Sequence, residues 1–132
     1  MKDIRWKQRF QNFEKAYLLL EESMAIDTPS ITERAGLIQF FQMTFELSWN
    51  LIKDYLQHEG YNIKTPRDAI KQAFQSELIQ DGHVWIDALG DRNLTVHTYD
   101  EKTAVEVEEK IKGKYYPALK ELYTLFKGKI NG

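Results

Sequence analysis

Leu37-Ile38-Gln39-Phe40-Phe41-Gln42-Met43-Thr44-Phe45-Glu46-Leu47-Ser48-Trp49-Asn50-Leu51-Ile52-Lys53-Asp54-Tyr55 repeats its apolar side chains at intervals of three and four residues. That is the repeat of an α-helix, in which each residue advances by about 100°. Leu37, Phe40, Phe41, Thr44, Phe45, Leu47, Ser48, Leu51, Ile52 and Tyr55 fill more than half of its circumference. So wide an apolar arc implies a helix at the centre of a bundle, or one that also faces a second subunit. Ser30-Ile31-Thr32-Glu33 has the form of a capping box, in which a hydroxyl and a carboxylate satisfy the free amides of a helix start. Gly60 ends the segment as a C-terminal cap would.

The same reading extends to both sides. Upstream, Trp6, Phe10, Phe13, Tyr17, Leu20 and Met24 place one aromatic-rich stripe along a first helix of about six turns. Downstream, Thr65-Pro66-Arg67-Asp68 is a third helix start, with a capping hydroxyl, a proline at the first helical position and an acid in the first turn. Ala69, Ile70, Ala73, Phe74 and Leu78 are expected to line its buried side. Asp81-Gly82 opens a fourth helix and Asp100 caps a fifth, while Gly113 with Pro117 predicts a break or kink before a last segment bearing Leu119, Leu122, Tyr123 and Phe126. No useful length alternates with period two, so no strands are expected. Short connections between amphipathic helices make neighbours antiparallel, and the fold class is all-α: an up-and-down helical bundle of five to six helices in a single domain spanning residues 1–132.

Composition narrows the function classes. A chain of 132 residues with 42% hydrophobic content can bury a core without staples. The absence of cysteine excludes disulfides, thiolate metal sites and cysteine nucleophiles, and suits a reducing compartment. No apolar run reaches the roughly 18 residues of a membrane span, and no apolar signal region follows Met1, so a cytoplasmic location without membrane association is expected. A net charge of −2 argues against a general nucleic-acid coat protein, and any RNA site must be local. Lys2, Arg5, Lys7 and Arg9, and later Lys110, Lys112 and Lys114, are the candidates, though both runs read first as solvated helix faces. His58 and His83 read as surface residues. There is no HExxH pair, glycine-rich phosphate loop or nucleophile elbow, so neither metal nor cofactor is expected. Nor is there the Gly-Ser followed by an Asp-x-Asp metal pair that a nucleotidyltransferase would carry.

One stretch does point to chemistry: Arg92-Asn93-Leu94-Thr95-Val96-His97-Thr98-Tyr99. Arg92 falls in the middle of the apolar stripe set by Trp85, Leu89 and Val96, with Ala88, Thr95 and Tyr99 alongside. A guanidinium there is destabilising unless it is paired or opens onto a cleft. One reading is a structural ion pair with a carboxylate on another helix, and the other is a ligand site. Asn93 and His97 share the adjoining face, whereas Arg92 and His97 lie about 140° apart, so one helix does not bring that pair to a single atom.

The pattern R-x4-H-x-Y resembles the signature of the HEPN superfamily, the higher eukaryotes and prokaryotes nucleotide-binding domains. Gln39 to Trp49, Lys53-Asp54-Tyr55-Leu56, Thr65-Pro66-Arg67-Asp68 and Asp91 to Glu101 resemble its nucleotidyltransferase substrate-binding branch, in order from about Phe10 to Phe126. The resemblance implies a separate minimal nucleotidyltransferase encoded nearby as partner. It also implies a homodimer in which two fourth helices cross to form one groove, and leaves open whether dimers pair further. RNA or a nucleotide is the implied ligand.

Three readings follow. In the first, the chain binds substrate for its nucleotidyltransferase partner through Arg92, Asn93 and His97. In the second, it is a metal-independent endoribonuclease toxin in which His97 moves a proton and Arg92 stabilises the phosphate charge, neutralised by transfer of AMP to Tyr99. In the third it is a structural helical dimer, with Tyr99 simply packing on the bundle. Whether the chain is an enzyme is open at this point, because the same motif serves binding and catalysis.

Overall fold

The computed structural model describes residues 3–92 and 100–132. Six α-helices make up the described chain: α1 (Asp3–Met24), α2 (Ile31–His58), α3 (Pro66–Gln75), α4 (Gly82–Arg92), α5 (Glu101–Lys110) and α6 (Tyr116–Asn131). A π-helical turn, Ile111–Tyr115, joins α5 to α6, and no strand occurs among the described residues. The fold is the expected all-α bundle.

The start signals act as read. Ser30 Oγ accepts from the Glu33 amide at 3.1 Å while the Glu33 carboxylate accepts from the Ser30 amide at 2.9 Å. Thr65 Oγ1 caps α3 through Asp68 N, Asp81 Oδ1 accepts from the His83 and Val84 amides, and Asp100 Oδ2 caps α5 through Thr103 N. Gly60 follows α2 with φ +100°, a left-handed conformation that favours glycine.

α2 is the central helix. It packs against α1, α3, α4 and α5, and Leu37, Phe41, Phe45, Leu51 and Ile52 are enclosed. The α1 stripe of Trp6, Phe10, Phe13, Tyr17 and Leu20 is buried as its spacing predicts. Its far side meets α6, where the Tyr17 and Tyr123 rings stack at 4.3 Å and Tyr17 and Tyr116 at 5.6 Å.

Two expectations are corrected. Phe74 is not part of the buried side of α3; it is 52% exposed, lying over Gly82 at the start of α4. The short α3 buries only the face of Ala69, Ile70 and Ala73, and the chain doubles back too soon to cover its neighbour. Gly113 and Pro117 do not break the last helix. Pro117 has no N–H to offer the carbonyl four residues back, and its ring would crowd that carbonyl. The helix widens instead: the Tyr116 amide donates to Ile111 O, five residues back. The extra width keeps Ile111, Tyr115 and Leu119, each four residues apart, on the buried side.

Carboxylates tie the helices at the rim. Glu14 accepts from Tyr123 Oη at 2.7 Å and Lys127 Nζ at 2.9 Å, which holds its carboxyl below the ordinary 4.5. Burial alone would raise Glu108, but Lys112 and Arg34 outweigh it and lower its carboxyl too. A carboxylate whose folded-state pKa is depressed contributes stability that is fully present above its unfolded value and lost as pH falls through the folded one. The melting temperature is therefore expected to fall on acidification below about pH 4.5. Glu14→Gln with Glu108→Gln should flatten that fall, and an unchanged slope would remove both residues from the acid response.

Candidate functional site

α4 is short, and its position is fixed by two buried residues. Trp85 packs on Phe45 of α2 at 5.8 Å, and Ala88, one turn on, lets the helices approach. The polar residues of α4 then reach in two directions. Asp87 meets Lys114 at 2.6 Å, which holds its carboxyl below the ordinary value. Asp91 accepts from the Tyr115 hydroxyl and from Lys110 Nζ at 3.3 Å. Burial, and then that carboxylate, raise the Tyr115 hydroxyl well above the ordinary tyrosine value, so it serves as a donor only.

Arg92, one residue further and about 100° around the helix, points the other way. Its guanidinium pairs with Glu46 of α2. Trp49 Nε1 donates to the second Glu46 oxygen at 3.0 Å, and Asn50 Nδ2 to the Glu46 backbone carbonyl at 2.8 Å. The Arg92 side chain is 20% exposed and that of Glu46 42%. The arginine is therefore both paired and open to the rim, which reconciles the two alternatives its sequence position presented. Its planar, permanently charged head is suited to phosphate or carboxylate oxygens.

Asn93, His97 and Tyr99 lie outside the described residues, so their placement relative to Arg92 rests on the helical angles of the sequence. His58 and His83 are exposed, as expected. Among the described residues, no three His, Asp or Glu side chains gather as metal ligands, and no helix is long and apolar enough to cross a membrane.

Glu46 and Trp49 were not singled out as site residues by sequence reasoning. Their signal was present: Glu46 borders the apolar arc of α2, and Trp49 follows it at the i, i+3 spacing at which helical side chains meet.

A helical bundle whose short fourth helix presents an arginine to a carboxylate of the central helix defines a class of binding protein rather than a metalloenzyme or cofactor fold. Residues 8–127 match the family described as "nucleotidyltransferase substrate binding protein like", and the chain belongs to that family, as its motifs implied. A Haemophilus influenzae protein named probable ribonuclease HepT is 31% identical over 111 residues, covering 77% of this chain and 76% of that protein. A crystal structure of a Thermus thermophilus protein superposes with a TM-score of 0.78 at 32% identity, over 83% of this chain and 94% of that one. A second Haemophilus influenzae structure, described as revealing the fold of a substrate binding domain of a nucleotidyltransferase, gives a TM-score of 0.69 at 26% identity over 96% and 99% of the two chains.

Proposed function

We propose that this chain is the substrate-binding subunit of a two-component system, holding a nucleotide or nucleic-acid substrate for a separate minimal nucleotidyltransferase encoded nearby. Arg92 grips phosphate oxygens, His97 donates to them or to a sugar hydroxyl, and Asn93 orients the imidazole or the phosphate. The observation that carries this reading is the placement of Arg92 at the rim of α4, held by Glu46 instead of lost in the core, in a chain of this family.

A second copy completes the groove. Phe40, Met43 and Leu47 form an apolar stripe on the outer side of α2, Met43 being 42% exposed, beside Glu46 and its arginine. A homodimer using this stripe would bring two Arg92 side chains towards one groove, and it would also bring His97 of each copy within reach of its partner's half.

The ribonuclease reading is favoured by one observation, the printed name of the 31% identical relative. In it the same arginine and histidine act on a phosphodiester, and AMP on Tyr99 would put a bulky anion beside both and close the groove.

Co-expression with the neighbouring nucleotidyltransferase, followed by intact mass with and without ATP, separates the two. A stable complex with no mass change supports the substrate-binding subunit. An ATP-dependent gain of AMP units that Tyr99→Phe abolishes supports the toxin reading instead, as would RNA cleavage by the chain alone that His97→Ala removes. In either case Arg92→Ala is expected to weaken nucleotide binding by about 10- to 100-fold, the worth of a charge-assisted hydrogen bond. Its melting temperature should barely move, because an ion pair at the rim contributes little. Sedimentation as a monomer at micromolar concentration would sink the shared groove.

A further inference from the structure

The two basic runs of the sequence have different fates. Lys110, Lys112 and Lys114 are engaged by Asp91, Glu108 and Asp87 at 3.3, 2.9 and 2.6 Å. The first run instead borders a cleft. Arg5, Gln8, Arg9 and Asn12 follow the i, i+3, i+4, i+7 spacing of one face of α1, and Lys53, Asp54 and Gln57 of α2 close the other wall around about 300 Å³. Three cations against the single carboxylate of Asp54 leave an excess of two positive charges, in a chain whose net charge is −2.

We propose that this α1/α2 cleft is a second phosphate-binding site, taking phosphodiester groups of a single nucleic-acid strand whose other end lies at Arg92. The proposal rests on the reading of the chain as a substrate-binding subunit and extends it from one anchoring point to two.

Three observations support it. Asp54 is buried, its side chain 4% exposed, and it takes Arg9 through Nε at 2.7 Å. The guanidinium is thus held in place by an edge that leaves its terminal nitrogens unspent on that carboxylate, with the side chain 42% exposed to the cleft mouth. Arg5 and Lys53 have no carboxylate partner among the described residues, so an incoming phosphate displaces no ion pair there.

The third observation is register. Lys53 lies seven residues beyond Glu46, so the two sit within about 20° of each other on α2 and about 10.5 Å apart along it. The cleft and the Arg92 pair therefore share a face of the central helix. Trp49, part-exposed, lies between them in that register, where an aromatic ring can stack with a base. A mononucleotide bound at Arg92 would not reach the cleft with a second phosphate, whereas successive phosphates of a strand would. The ligand is accordingly a polymer with regularly spaced single charges.

The test is fluorescence anisotropy on the full chain with labelled hexauridylate RNA, the matching hexathymidylate DNA and labelled AMP, across a salt series. Arg5→Ala with Lys53→Ala is compared with Arg92→Ala and with a control pair, Lys102→Ala with Lys120→Ala, both exposed and away from the cleft. Arg9 is left intact because its loss would strand Asp54.

The cleft pair is expected to weaken hexamer binding about tenfold and to reduce the slope of log K against log salt by about 1.4, the value for two lost phosphate contacts on a single strand. AMP binding should be unchanged in that variant and lost in Arg92→Ala. A preference for RNA or DNA names the strand, and equal affinity supports a site that reads phosphodiester alone. Hexamer binding unaffected by the cleft pair, or weakened equally by the control pair, would overturn the proposal. If AMP binds and the hexamer gains nothing over it, the cleft falls while the Arg92 site stands. If neither binds, both readings fall.

Discussion

Phe13→Ala is expected to destabilise the fold by about 3–5 kcal/mol, the usual loss when a fully enclosed aromatic side chain is truncated. Phe13 has no exposed surface and meets Phe10, Tyr17 and Tyr123 at 6.1 to 6.4 Å between ring centroids. These rings belong to α1 and α6, elements far apart in sequence, so the lost contacts are those that hold the two ends of the bundle together. A domain of this size has a net stability of only about 5–15 kcal/mol, and the melting temperature should drop by roughly 10–20 °C. The urea midpoint should fall with an unchanged slope. A loss under about 1 kcal/mol would mean that neighbouring rings close over the space, and that the seam is less tightly packed than the stacked tyrosines indicate.

The second large effect is an asymmetry at the Arg9–Asp54 pair. Arg9→Ala leaves the carboxylate of Asp54 in an almost closed site, and removing one partner of an enclosed pair typically costs about 3–5 kcal/mol. Arg9 is itself 42% exposed, so water recovers part of this, and about 2–3 kcal/mol is expected. Asp54→Asn leaves only an arginine that can turn to solvent, and should cost about 1 kcal/mol. The double variant should recover part of what Arg9→Ala loses, because no charge remains buried. Urea titration of the three variants measures this directly. Equal losses in both single variants would show that the hydrogen bond, and not the stranded charge, carries the energy.

Much of the fold was legible because each signal was local. Ser30-x-x-Glu33, Thr65-Pro66, Asp81 and Asp100 each satisfy amides within three residues, so tertiary packing had little opportunity to override them. The stripes of α1 and α2 were legible because a 3–4 spacing over five or more turns has no other use. Phe74 was misread because the pattern says which face is apolar and not whether a neighbour is long enough to cover it. The site was half legible. Arg92 was identified by the misfit of its charge in an apolar stripe, but its partner Glu46 lies 46 positions away, and nothing in local spacing selects it over other carboxylates. Likewise the two basic runs looked alike as strings of charge. Only the structure shows that one is answered by Asp87, Asp91 and Glu108 while the other faces an open cleft.

The π-helical turn changes how this chain is to be aligned with others. From Glu101 to Asn131 the backbone runs as one rod carrying a phase slip of a single residue. A one-residue gap in a loop alters only the length of a connection, but a gap at Ile111–Tyr115 would remove the slip and turn everything after it by about 100°. Leu119, Leu122 and Phe126 would leave the core, and positions such as Lys120 would take their place. A homology model that treats such a gap as a trivial indel would thus carry a rotated final helix despite a correct trace. In a relative of different length here, the assignment of α6 has to follow the side-chain phase and not the residue count.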